Sequence, residues 1–94
     1  MFRLWAKIFE DNHMIKDSVW ENDSQDLTRT KKVLKALEEV CVEFDLSVPI
    51  WLDKNIKEFQ KVSKTRFYKD NFVEDIEFEY LEINVIEEDD FFYN

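Results

Sequence analysis

Only one histidine and one cysteine, His13 and Cys41, stand among the groups that could carry covalent or metal chemistry. A lone histidine cannot build a multi-histidine metal site within one chain, and a His-based triad needs serine and acid partners that no spacing here supplies. His13 also falls where a turn is expected, so it reads as a solvated turn residue. Cys41 lies between Val40 and Phe44 on an apolar helical stripe, where a thiol behaves as a small hydrophobe with a raised pKa. Glu39 and Glu43 are one helical turn apart and could in principle share an ion or a sugar. General acid and base work needs two carboxyls in different environments, however, and Lys31, Lys32 and Lys35 on the same helix make ordinary surface pairing the simpler account. Glu87, Glu88, Asp89 and Asp90 lack the spaced ligands and turn glycine of a calcium loop. Glycine is absent altogether, which excludes the phosphate-cradling loops of P-loop and dinucleotide-binding proteins. The residues therefore predict no catalysis, no cofactor and no metal.

What remains is surface. Of the 22 acidic side chains, nine fall after residue 70 with no lysine or arginine among them, so the formal net charge of −9 belongs to one end of the chain. Those nine include Glu74, Asp75, Glu77, Glu79 and Glu82, then the run from Glu87 to Asp90, with Phe91 and Phe92 close behind. An acidic end carrying aromatics reads as a contact surface. Between Lys54 and Lys69 the balance reverses, with six basic residues and Glu58 as the only acid. That block can hold an acidic segment of its own or a neighbouring chain.

The elements that must position these groups follow from periodicity. Phe2, Leu4, Ala6 and Ile8 alternate with Arg3, Trp5, Lys7 and Phe9, and a second alternating run follows from Met14 to Trp20. With Asp11 and Asn12 as a two-residue turn this is a β-hairpin in which Ile8 faces Ile15 and Leu4 faces Val19. Phe9 then meets Met14, Arg3 meets Trp20, and Lys7 lies opposite Lys16, an unfavourable pair that calls for an acidic neighbour. Without glycine, positive φ must fall to asparagine or aspartate, and Asn12, Asn22 and Asn71 stand where turns are wanted. Val33, Leu34, Leu37, Val40, Cys41 and Phe44 recur at helical spacing, with Ser24 or Asp26 as candidate caps and Pro49 beyond the end. A shorter helix opens at Pro49 or Asp53, with Leu52, Ile56 and Phe59 inward and Lys54, Lys57 and Lys61 outward. Lys64 to Asn71 reads as a connection or a short strand. Alternation returns from Ile76 to Ile86, and its change of phase between Tyr80 and Leu81 predicts a bulge there.

The order β-β-α-α-β predicts an α+β fold of two layers: a three-stranded antiparallel sheet with two helices on one face. At 94 residues the chain supports one core, expected over residues 1–86, with 87–94 as an acidic-aromatic tail. No apolar run approaches the roughly 20 residues of a membrane span and no cleavable leader is recognisable, so a protein without membrane contact is expected. A single cysteine fits a reducing cytoplasm.

On the sheet's second face Arg3, Trp5, Lys7, Phe9, Met14, Lys16 and Trp20 would interleave basic and aromatic side chains, as single-strand nucleic-acid binders do. The net charge of −9 opposes a phosphate backbone at long range. Two tryptophans, a phenylalanine and a methionine instead predict a face covered by protein, most simply a second copy of the chain. The leading reading is a small acidic interaction module of unknown partner that self-associates. Its contacts are Trp5, Phe9, Met14 and Trp20 on the hairpin, with Glu77, Glu79, Glu82, Glu87 to Asp90, Phe91 and Phe92 at the acidic end. A second reading is an acidic nucleic-acid mimic, since alternate strand residues lie about 7 Å apart, close to the phosphate spacing of one strand. Binding of single-stranded nucleic acid through the hairpin face is the third.

The segments Ala36 to Cys41, Phe44 to Leu52 and Lys64 to Phe67 resemble those of short uncharacterised cytosolic proteins from Gram-positive bacteria. The resemblance covers most of the chain and contains no catalytic motif. It implies a cytoplasmic setting and brings no activity, cofactor or site residue with it.

Overall fold

A computed structural model describes residues 1–89. Strands β1 (Phe2–Glu10) and β2 (His13–Asn22) form the hairpin, followed by helices α1 (Arg29–Glu43) and α2 (Asp53–Val62), a short strand β3 (Lys64–Phe67), a 3-10 turn at Lys69–Asn71, and β4 (Tyr80–Glu87). The fold is α+β with both helices packed on one side of an antiparallel sheet. That sheet has four strands in the order β2-β1-β4-β3, where three were expected. The extra strand is β3, whose Thr65 and Phe67 are fully buried while Lys64 and Arg66 face out. Alternation over four residues is too short to separate a strand from a connection by sequence.

The hairpin turn is as anticipated. Asp11 and Asn12 both take positive φ (51° and 67°), the two-residue geometry whose twist matches that of the flanking strands. Asn22 and Asn71 do not. The other positive φ values among the described residues fall at Asp45 (59°) and Ser63 (56°), each just past a helix. At the end of α1 the Leu46 N–H reaches the Cys41 carbonyl (2.8 Å) and the Asp45 N–H reaches that of Val42 (3.1 Å), so an aspartate closes the helix where glycine is usual. Thr28, in place of Ser24 or Asp26, caps the start of α1 by accepting from the Lys31 N–H.

Register departs from expectation two residues before the turn. Phe9 pairs with Met14 as foreseen, but Ile8 pairs with Lys16, so Ile15 is an extra residue that shifts all pairing beyond it. Trp20 therefore lies beside Leu4 on the helix side, its ring edge-on to Phe2 at 6.2 Å, and Trp5 lies beside Val19. Lys7 faces Asp17 where Lys16 was expected, which removes the like-charge pair. No bulge interrupts Tyr80 and Leu81: β4 starts at Tyr80, and Ile76 and Phe78 pack against the core from the irregular segment before it. The phase change in the sequence marks where the strand begins.

The core joins Phe2, Leu4, Ala6 and Ile8 of β1 and Leu81 and Ile83 of β4 to Val33, Ala36, Leu37, Val40 and Cys41 of α1. Phe59 of α2 and Phe67 of β3 close its other end, with Trp51 edge-on to both rings. Ile56, expected inward, is exposed, and Asn55 takes the buried position. Asn55 donates to the Thr65 hydroxyl and the Arg66 carbonyl, while Asn71 donates to the Asn55 side-chain oxygen and the Ile50 carbonyl, all at 2.8 to 2.9 Å. This satisfied amide network ties α2 to β3 and to the chain on either side of them.

Cys41 is 1% exposed, and burial pushes its thiol up to about 11. In the native protein a thiol reagent is expected to label Cys41 about a hundredfold more slowly than in denaturant. Equal rates would show that the stripe formed by α1 opens freely.

Candidate functional site: the outer face of the sheet

In β1 the side chains that point away from the helices are Arg3, Trp5, Lys7 and Phe9, and pairing carries their facing across the sheet. Met14, Asp17, Val19 and Glu21 flank them on β2, and Tyr80, Glu82 and Asn84 flank them on β4. Arg66 and Lys64 of β3 complete the face. The helices pack on the opposite side, so no described helix overlies this surface.

Its centre is a carboxylate. Glu82 is 4% exposed and accepts from Lys7 Nζ at 2.7 Å and from Arg66 Nε at 3.0 Å. Burial alone would raise the Glu82 pKa, but the hydrogen bonds and charges of Lys7 and Arg66 outweigh it and hold the carboxyl below the usual glutamate range. The acidic neighbour that Lys7 required is Glu82. The same two cations meet aromatic rings: Lys7 lies over Trp5 at 3.9 Å and Arg66 over Tyr80 at 4.6 Å. Burial raises the Tyr80 hydroxyl pKa despite the neighbouring guanidinium. Phe9 stacks on Tyr80 at 5.0 Å, and Tyr68 lies tilted against the Tyr80 ring at 5.3 Å. Trp5 Nε1 donates to Asp17 at 2.9 Å, and Arg3 meets both Glu21 and Glu87. A band of aromatic rings is thus threaded by charges already paired among themselves.

The expected contact residues do not form one surface. Trp5, Phe9 and Met14 share the outer face, whereas the bulge at Ile15 turns Trp20 to the core side. Tyr80, Tyr68 and Arg66 belong to the face and were missed. Their partners lie far away in sequence, and only the parity of Tyr80 against Leu81 hinted at it. Glu77 and Glu79 are exposed in the irregular segment before β4, with Glu74 and Asp75. The even spacing expected of an acidic strand is therefore absent there, and Glu82 lies beneath Lys7 and Arg66.

The acidic end is pinned where it is described. Glu87 belongs to β4, and Glu88 takes a two-point grip from Arg29, with Nε to Oε1 and Nη2 to Oε2 both 2.9 Å. Asp89 accepts from Lys32 Nζ at 2.7 Å, with Lys32 fully buried, and meets the Met1 amine at 3.5 Å. Asp90, Phe91 and Phe92 lie outside the described residues. No helix is long and apolar enough to cross a membrane, and no cluster of ligands for a metal occurs among the described residues. Compared with protein-family models, curated proteins and solved structures, the chain finds no match.

Proposed function

We propose that this chain is a small acidic protein–protein interaction module, without catalysis of its own, that associates with a second copy of itself through the outer face of the sheet. The observation that carries the reading is the mutual neutralisation of that face. Lys7 and Arg66 meet Glu82, and Arg3 meets Glu21 and Glu87. A face whose charges are paired in place does not repel its own copy, whereas nucleic acid would have to break those pairs to reach the cations. Met14 and Val19, nearly half exposed, extend the apolar area beside Phe9 and Trp5. Burying such a patch against an identical one is the usual self-complementary arrangement of a two-fold dimer.

Sedimentation equilibrium tests this on the full chain. The wild type is expected to be a dimer at tens of micromolar, and Trp5→Ser combined with Phe9→Ser is expected to give a monomer that keeps its far-UV spectrum. A wild-type monomer whose Trp5 fluorescence is quenched on addition of single-stranded oligonucleotide would overturn the reading in favour of nucleic-acid binding.

A further inference from the structure

A second surface lies on the other side of the sheet, at the turn end of the hairpin. There the end of β1, the extra residue of β2, the residues just past α1 (Phe44 to Leu46) and the segment before β4 enclose an open groove of about 440 Å³. Its floor is apolar, formed by Ile8, Phe44 and Phe78 with Ile15 and Ile76 at the sides. Its rim is acidic: Glu10, Asp45, Asp75 and Glu77 converge on it from three separate stretches of chain, with Lys16 as the one basic residue. All four acids are exposed, and none is ion-paired to a described residue. This sets the groove apart from the outer face, where the carboxylates are consumed internally.

From this juxtaposition we infer that the groove is a docking site for a cationic amphipathic peptide segment of a partner protein, its apolar side chains on the floor and its lysines or arginines against the rim. Charge complementarity selects the occupant. A cationic segment complements four exposed carboxylates that line one groove and meet no cation among the described residues, whereas an acidic segment would add to their charge. The net charge of −9 adds long-range attraction for the same partner. Two local features open the groove. The bulge pushes Ile15 out beside Ile8, and the positive φ of Asp45 turns the chain sharply away from α1, leaving Phe44 at the groove floor. The site is separate from the sheet's outer face, so its occupancy does not depend on self-association.

The probe is a fluorescently labelled peptide of about twelve residues, half leucine and half lysine in an amphipathic helical pattern, titrated with full-length protein and followed by anisotropy. Saturable binding is expected, weakening at least about tenfold between roughly 50 and 500 mM salt. The combined variant Glu10→Gln, Asp45→Asn, Asp75→Asn and Glu77→Gln is expected to lose about tenfold or more in affinity. A control removing four charges elsewhere, Asp23→Asn, Glu38→Gln, Glu39→Gln and Glu58→Gln, is expected to change it less than about twofold; asparagine at position 45 keeps the left-handed turn accessible. Lys16→Glu, which completes the acidic rim, is expected to tighten binding about threefold or more. No saturable binding overturns the proposal, as does equal weakening in groove and control variants, which would reduce the effect to net charge. Loss of affinity in Lys16→Glu overturns it too.

Discussion

Replacing Lys32 by methionine is expected to destabilise the protein by about 3 kcal/mol, the upper part of what single substitutions cost, because it strips a cation from a buried pair while keeping the length of the side chain. Lys32 is fully buried on α1 and donates to Asp89 at 2.7 Å, with the Asn22 carbonyl at 3.5 Å. The lysine stem packs in place and its ammonium lies 5.9 Å from the Phe2 ring centre, so its surroundings are apolar on one side and anionic on the other. Without the ammonium, Asp89 keeps only the Met1 amine at 3.5 Å among the partners described, in a place where its side chain is 11% exposed. Asp89→Asn is expected to cost less, since an amide can still accept from lysine. Pairing Lys32→Met with Asp89→Leu should recover most of the loss, as apolar replacements of buried ion pairs commonly do. Urea unfolding at pH 7 of wild type, Lys32→Met, Asp89→Leu and the double variant measures all four corners of the cycle. A loss below about 1 kcal/mol for Lys32→Met would mean that the pair is solvated in solution and does not anchor the end of β4 to α1.

Acid is expected to act through Glu82. Its folded-state pKa is depressed, so the stability it contributes is present above the unfolded value, about pH 4.3 for glutamate, and is lost as pH falls toward the lower folded value. Burial opposes this charge, and only Lys7 and Arg66 keep it. Protonation therefore leaves two cations facing each other across the centre of the sheet. Glu82→Gln is expected to lower stability at pH 7 by about 2 kcal/mol, from the loss of two charge-assisted hydrogen bonds, and to flatten the part of the acid decline that belongs to this group. Urea midpoints of wild type and variant, collected from pH 7 down to 3, should converge as pH falls. Parallel curves would show that Lys7 and Arg66 do not perturb Glu82.

How much of this was legible in the sequence depended on whether the signal was local. The stripe on α1 repeats every turn, and it marked the buried face correctly at Val33, Leu37, Val40 and Cys41. Asp11 and Asn12 specified their turn by residue type alone. The bulge at Ile15 was invisible, because one added residue leaves the alternation on each side intact and reverses only their relation. That single residue moved Trp20 from the proposed interface into contact with Phe2. The misfit was still announced by the expected opposition of Lys7 and Lys16, and the register found here pairs Lys7 with Asp17 instead. The site's centre was half legible: Lys7 demanded an acid, and Glu82 was among the expected acidic contact residues, but that the two meet, and that Arg66, Tyr68 and Tyr80 join them, followed from the pairing of β4 with β1 and β3. The Asn55 and Asn71 network had no local signal, since polar residues in helices and turns are ordinarily solvated.

The position of β1 in the sheet has a consequence for biosynthesis. β1 leaves the ribosome before the other strands of its sheet, yet it lies in the interior of that sheet and takes β4 as one of its two neighbours. Until Tyr80–Glu87 has been synthesised and has emerged, the edge of β1 that β4 will occupy is open, and Leu4, Ala6 and Ile8 have only part of their final cover. The nascent hairpin and α1 must persist in that state while the rest of the chain is made, and the closing step joins segments far apart in sequence, which slows it relative to a fold of local contacts. Ribosome-bound chains stalled before β4 should accordingly be the form that draws chaperones, and the lysine and arginine residues spaced along β1 and β3 then act as guards against pairing with the wrong strand.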